Sequence, residues 1–245
     1  MKIIKLCVFL LTAILLSCSV SPEIEASFVQ KSSEFPLTYS SKNGVFEPEN
    51  GLNEYDHAGW LHNAVFEAYY DGTVKDTSLL AIVEQVNRLA NENSVFVGLS
   101  SVAYNFEDIV KARAVLKNPL LVRATSISAS LEYSDVAVAF SEFLDAMELL
   151  CQTEADYGVI YAEVIAYEHS VLSDIRISKH DLEIILSTTS ILRYSTCKRK
   201  KRPKKNTDPE WDLLIANVTG AVLGSSESVQ EAVVLSLVAG IAANK

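Results

Sequence analysis

The chain is poor in the residues that make loops and sheets. Its 245 residues include only 9 glycines and 6 prolines. That is too few for the turn-rich spacing of a β-sandwich or barrel, and it leaves room for long uninterrupted helices. Period-2 alternation never lasts long enough to demand a sheet. No CxxC, HExxH, GxGxxG, GxSxG, P-loop or EF-hand pattern occurs, so the common signatures of metal, dinucleotide, nucleotide and serine-hydrolase chemistry are missing. The sequence calls for no cofactor. Cations are outnumbered, 21 Lys and Arg against 31 Asp and Glu, for a formal charge of −10. A surface that acidic repels nucleic acid and anionic headgroups. No apolar stretch reaches the roughly 20 residues that a spanning helix needs.

What is there begins at the N-terminus. Lys2 and Lys5 precede the apolar run Leu6 to Leu16, which Thr12 alone interrupts. That length suits a signal-peptide core. The run leads into Leu15-Leu16-Ser17-Cys18, which resembles a bacterial lipobox. The resemblance implies a diacylglycerol on the Cys18 thiol, cleavage of the preceding peptide bond and acylation of the new amino terminus. One acyl chain holds a membrane only marginally, whereas two or three hold it firmly, at about 0.8 kcal/mol per buried methylene. An ordinary secretory signal with a chance cysteine is the alternative. The expected organisation is a signal peptide over 1–17, a flexible tether over 18–50 and an all-helical domain over 51–245. In the tether, Glu23 and Glu25 resemble the surface-export signal of some Bacteroidota lipoproteins. The expected place is therefore the cell envelope, at the outer membrane and its surface. With Cys7 removed and Cys18 lipidated, only Cys151 and Cys197 remain, as one disulfide or as two free thiols.

From Asn53 onward the pattern is helical. Ala58, Leu61, Val65, Ala68 and Tyr69 share one face, with Gly72 as a stop. Leu79, Ile82, Val83, Val86 and Leu89 form a stripe capped by Asp76 or Thr77. A third helix ends at Asn118-Pro119. Between these, VFVGLSSVAY reads as a short helix or an isolated strand. Val136, Phe140, Phe143, Met147 and Leu150 repeat next, followed by Tyr157, Ile160, Val164, Val171 and Ile175. Ser178 to Asp181 resembles a capping box ahead of Leu182, Ile185, Leu186, Thr189 and Leu192. Asp208-Pro209-Glu210 starts a helix bearing Trp211, Leu214, Ile215, Val218 and Val222. A last helix closes the chain. The expected fold is a single all-α domain of seven to nine helices.

Three groups of residues invite a chemical reading. Asp56, His57 and His62 share one helix, where a carboxylate could orient an imidazole acting as base or metal ligand. The five-residue spacing of the histidines splays them, however, and zinc pairs prefer four. A core histidine is the plainer reading of His62. Glu163, Glu168 and His169 form a looser group that reads as a solvated helix edge. Asn217-Val218-Thr219 matches a glycosylation sequon but falls within a helix. The apolar tail from Leu213 to Ala243 reads as two core helices or, alternatively, as a hairpin for oligomerisation or membrane insertion.

One stretch contradicts the acidic balance. Lys198, Arg199, Lys200, Lys201, Arg202, Lys204 and Lys205 place seven positive charges in eight residues. Like charges around Pro203 keep such a linker extended. It could contact an anionic envelope component, dock on an acidic protein surface, or simply be solvated.

Residues 53–63 read NEYDHAGWLHN. They resemble a motif near the start of many exported Bacteroidota proteins, of the form N-x-Y-D-x-x-G-x-x-H-N. Asn53, Tyr55, Asp56, Gly59, His62 and Asn63 match it. Residues 191–243 are similar to the late part of those proteins: a helix with a Tyr-Ser core, a linker, a Trp-led helix and a small-residue apolar tail. Thr196, Cys197 and Lys198 stand where aromatics are usual. The resemblance covers about a third of the chain. It implies an exported or lipid-anchored helical protein and brings no assigned activity. The expected role is a binding or assembly module that meets the membrane through its lipid and engages a protein or anionic envelope partner. An envelope enzyme or metal protein using Asp56 and His62, and a membrane-active protein using the C-terminal hairpin, are the alternatives.

Overall fold

The computed structural model describes residues 41–42, 45–73, 76–153, 156–197 and 209–244. The signal peptide, Cys18, most of the tether, the basic run and Asp208 lie outside the described residues. Ten helices lie among the described residues: α1 His57–Asp71, α2 Leu79–Glu92, α3 Ser94–Gly98, α4 Ile109–Lys117, α5 Pro119–Ser130, α6 Ser134–Thr153, α7 Tyr157–Ser173, α8 Lys179–Cys197, α9 Pro209–Ser225 and α10 Val229–Ala243. A minimal antiparallel pairing of Ser41 with Phe46 and Lys42 with Val45 precedes them. The class is all-α, as the sequence predicts.

The C-terminal hairpin forms the centre of this fold. The most extensive helix contact is between α9 and α10, and α10 is further packed by α1, α2, α4 and α8. Small residues permit that approach. A Cβ on Gly220 would lie 2.7 Å from Cα of Ser236, and one on Gly224 would lie 2.6 Å from Cα and N of Ala232. The two backbones are therefore nearly in contact along one antiparallel seam. α10 gives Ala232, Val233, Val234, Leu235, Leu237 and Val238 to a core shared with Ala58, Leu61 and Val65 of α1 and Ile82, Val83 and Val86 of α2. α9 gives Leu214, Val218 and Val222 to a second core with Phe140, Leu144 and Met147 of α6, Ile160 and Val164 of α7, and Ile184, Ile185 and Leu186 of α8. The hairpin is thus an internal partition, and its apolar residues point into the protein. Among the described residues, no helix is long and apolar enough to cross a membrane.

Several local expectations are corrected. Asn118-Pro119 both stops α4 and starts α5, a helix the sequence reading passes over. The Asn118 side chain accepts from the Leu121 amide at 3.4 Å, and Pro119 occupies the first helical position, where its missing N–H costs nothing. α2 is capped by Ser78, whose Oγ accepts from the Ala81 amide at 3.3 Å, rather than by Asp76 or Thr77. α9 runs past Gly224, where the two backbones of the seam nearly touch, to Ser225. Ser178 caps α8 through the Asp181 amide at 3.1 Å, but the buried Asp181 carboxylate accepts from the Glu132 amide instead of reaching back.

The ambiguous VFVGLSSVAY resolves into α3 and an irregular strap. Asn87 of α2 pairs with Phe106 in both directions, donating to its carbonyl at 2.9 Å and accepting from its amide at 3.0 Å. Asn91 donates to the Tyr104 carbonyl at 2.9 Å. The strap therefore finds its backbone partners on asparagine side chains, as buried or half-buried backbone must find partners somewhere.

Candidate functional site

Asn53, Asp56 and the Gly59 amide of the NEYDHAGWLHN stretch converge with α7 and α8 in one network. Its hub is Arg193 on α8, fully buried together with Glu168 of α7. The Arg193 guanidinium donates from Nε to Glu168 Oε1 at 3.2 Å, from Nη2 to Asp56 Oδ1, and from Nη1 to the Pro48 carbonyl. Burial alone would lower the arginine's pKa, but the Glu168 and Asp56 carboxylates outweigh it and raise the pKa above its ordinary value. Glu168 is satisfied in turn. Its Oε2 accepts from Asn50 Nδ2 at 2.6 Å, and its Oε1 accepts from Asn53 Nδ2 at 3.0 Å and from Thr189 Oγ1 at 2.6 Å. A charge in the interior persists only when paired and hydrogen-bonded in this way.

Local turns bring these donors to the hub. The Asn53 side chain accepts from the Tyr55 amide at 2.8 Å, and the Asn50 side chain from the Leu52 amide at 3.1 Å. Both are Asx turns, which set the backbone that enters α1. The second Asn53 hydrogen reaches the Leu186 carbonyl at 3.0 Å. One turn into α1, the Gly59 amide donates to Ser190 Oγ at 3.0 Å, and Ser190 Oγ donates to the Asp56 carbonyl at 2.8 Å. A Cβ at Gly59 would overlap the Tyr194 ring and Ser190. Glycine is therefore required for α1 to sit this close to α8. Residues at the end of the expected tether belong to the same arrangement, since the Glu49 carbonyl accepts from Tyr161 Oη at 2.7 Å.

Asp56 and His62 are engaged separately. Asp56 is committed to Arg193, with Tyr194 Oη at 3.4 Å from its second oxygen. His62 is 3% exposed and stacks on Phe66 at 6.2 Å. Burial pushes its imidazole down to about 4, against a smaller opposing effect from the Asn217 amide. Neither Nε2 of His62 nor Oδ1 of Asn217 completes a hydrogen bond. His57 is half-buried beside Tyr55, with ring centroids 6.4 Å apart. Asn63, the last motif residue, makes only a 3.4 Å contact to Glu67 at the surface. Among the described residues no three His, Cys, Asp or Glu side chains are grouped to hold a metal ion.

Glu168 overturns its expected place on a solvated edge. The reason is its partner, since a lone arginine buried on the facing helix draws the carboxylate inward. The sequon is buried as well, with Asn217 1% exposed and Thr219 fully covered, so it is closed to a glycan in the folded chain. Cys151 is buried and Cys197 half-buried, and the two are not joined in a disulfide. Two surface clefts exist elsewhere. One, of about 430 Å³, is lined by Leu120, Arg123, Asp145 and Glu148; the other, of about 530 Å³, by Leu116, Leu120, Trp211 and Ile215. Neither contains Asp56, His62 or any other motif residue.

Comparison with family models, characterised proteins and solved structures finds no match to this chain.

Proposed function

We propose that the chain is a lipid-anchored protein of the bacterial cell envelope, of the exported Bacteroidota type that its motif resembles, and that its helical domain acts by binding or assembly rather than catalysis. The anchoring half of this reading rests on the charged start, the short apolar run and Leu15-Leu16-Ser17-Cys18. The other half is carried by one observation. Asp56, the carboxylate that a catalytic reading would use, is tied to the buried Arg193 and sits apart from both surface clefts. Residues of the NEYDHAGWLHN motif support a docked architecture: segment 47–56 and the first helix clamped onto α7 and α8.

The test is trypsin shaving of intact cells expressing the wild type beside Cys18→Ala. The run Lys198 to Lys205 supplies the cleavage sites. Cleavage on intact cells, with the Cys18→Ala protein lost from the membrane pellet, is the expected result. Retention of the Cys18→Ala protein in membranes would sink the lipid anchor. Metal content or hydrolytic activity in the purified protein that His62→Ala abolishes without unfolding it would sink the non-catalytic half.

A further inference from the structure

His62 stands out among the histidines because nothing about it suits a charge. It is 3% exposed and in the middle of α1, and it faces Asn217 of α9. The Asn217 amide is itself wedged against Gly240 of α10, where a Cβ would collide with its oxygen, and Asn217 Nδ2 makes a long 3.4 Å contact to Ser195 Oγ of α8. α8, α9 and α10 therefore meet at the amide that the imidazole faces, with an unpaired Nε2 on the histidine and an unpaired Oδ1 on the amide.

Charged groups on the surrounding elements are committed elsewhere. On α8, Arg193 is held by Glu168 and Asp56, and Tyr194 leans on Asp56. On α10 the titratable group is Glu231, which takes Tyr104 and Lys111. On α9, Glu210 and Asp212 lie in the first turn, away from Asn217. On α2, Arg88 and Glu92 pair with each other at 2.6 Å, and Glu84 is exposed. Among the described residues no carboxylate is positioned to compensate an imidazolium at His62. The one gain on protonation is a hydrogen bond to the Asn217 oxygen, and a single neutral acceptor does not offset the desolvation of a full charge.

We propose that His62 is an acid-sensitive latch: α1 packs on the C-terminal hairpin only while this imidazole is neutral, and acidification loosens α1 while segment 47–56 stays tied to Arg193 and Glu168 and α9 and α10 stay docked. α1 covers the hairpin through Ala58, Leu61 and Val65, so release would uncover an apolar face that includes Val238 and Ile241. This inference does not rest on the lipid anchor.

The sign follows from linkage. The folded-state value is depressed to about 4 from 6.5, so the open form binds the proton more tightly. The latch is fully present above about pH 6.5 and weakens as pH falls toward 4. At pH 5 the closed-to-open ratio for α1 should be roughly thirtyfold below its value at pH 7.5.

The test is hydrogen exchange of the full chain read by mass spectrometry at pH 7.5 and pH 5, corrected for intrinsic exchange, on the wild type and on His62→Gln. The expected result is a roughly thirtyfold loss of protection in peptides spanning 57–71, little loss in 47–56 and 209–244, and no such pH dependence in His62→Gln. Equal losses across all helices, no loss in 57–71, or the same loss in His62→Gln would each overturn the latch. Should His62→Gln fail to fold, NMR titration of the wild-type imidazoles decides instead. A His62 midpoint below 5 supports the latch, and one at 6 or above refutes it.

Discussion

Removing the Glu168 carboxylate strands more groups than any other single change in the buried network. Four donors converge on it: Asn50 at 2.6 Å, Asn53 at 3.0 Å, Thr189 at 2.6 Å and Arg193 at 3.2 Å. Thr189 and Asn53 keep a second acceptor in the Leu186 carbonyl, and Arg193 keeps Asp56 and Pro48. Asn50 loses the Glu168 acceptor of its amide, and the arginine loses its fully buried counter-charge. Breaking a buried ion pair from one side costs about 3–5 kcal/mol, so Glu168→Ala should fall in that range. That is a large fraction of the roughly 5–15 kcal/mol that stabilises a typical domain. Glu168→Gln is the sharper probe. A glutamine oxygen in place of Oε1 still serves Asn53, Thr189 and Arg193, but its NH₂ in place of Oε2 meets the Asn50 NH₂ head on. Asn50 cannot turn over without giving up the Leu52 amide. The cost should be about 2 kcal/mol, one buried hydrogen bond plus the lost charge. Urea unfolding of both variants, with Asn50→Ala to close a double-mutant cycle, measures this. A Glu168→Ala protein within about 1 kcal/mol of the wild type would refute the claim that the network is a structural clamp.

Two further outcomes follow from geometry and titration. Gly224→Ala should cost about 1–3 kcal/mol by thermal or urea unfolding, because its Cβ would lie 2.6 Å from the Ala232 backbone; Gly98→Ala, which meets nothing within 4 Å, should be neutral or gain up to about 1 kcal/mol. Between pH 7 and pH 4 the wild type should lose about 3 kcal/mol more than His62→Gln, the linkage equivalent of an imidazole moved from 6.5 to about 4; parallel pH profiles for the two proteins would show that His62 titrates normally.

Most helices were legible because they lie at the edge of the fold. α2 and α6 face solvent on one side, and their apolar stripes announce both the element and the buried face. The central elements carry no such contrast. Ile184 to Tyr194 of α8 and Ala232 to Ala242 of α10 are buried on every side, so no polar face exists for a period to reveal. That is why the tail could be read either as core or as a membrane hairpin. α5 was lost for a different reason. Asn-Pro is a stop signal when read from the left and a cap with Pro at the first position when read from the right, and here it is both at once.

The polar network was half legible. Asn53, Asp56, Gly59 and His62 stood out as a motif, but the sequence offered Asp56 and His62 to each other as neighbours on one helix. Their actual partners, Arg193 and Asn217, lie well over a hundred residues away, beyond what local spacing can convey. One signal did point there. Arg193 is the single charged residue between Glu183 and Lys198, inside a helix too apolar to be solvated. An arginine in that setting needs a carboxylate, and the chain supplies a buried one from α7 and a half-buried one from the turn before α1. Buried charge of this kind adds little net stability over a well-packed apolar core. Its effect here is geometric, because Arg193 has three acceptors on two separate segments: Pro48 and Asp56 of segment 47–56, and Glu168 of α7. Sliding the strap by one residue would leave at least one of them unmet. The same reasoning accounts for the small residues opposite, since Gly59 and Ser190 let α1 approach until those acceptors are within reach. The motif thus specifies how the first helix docks, which is a reason for its residues to occur together that requires no catalytic chemistry.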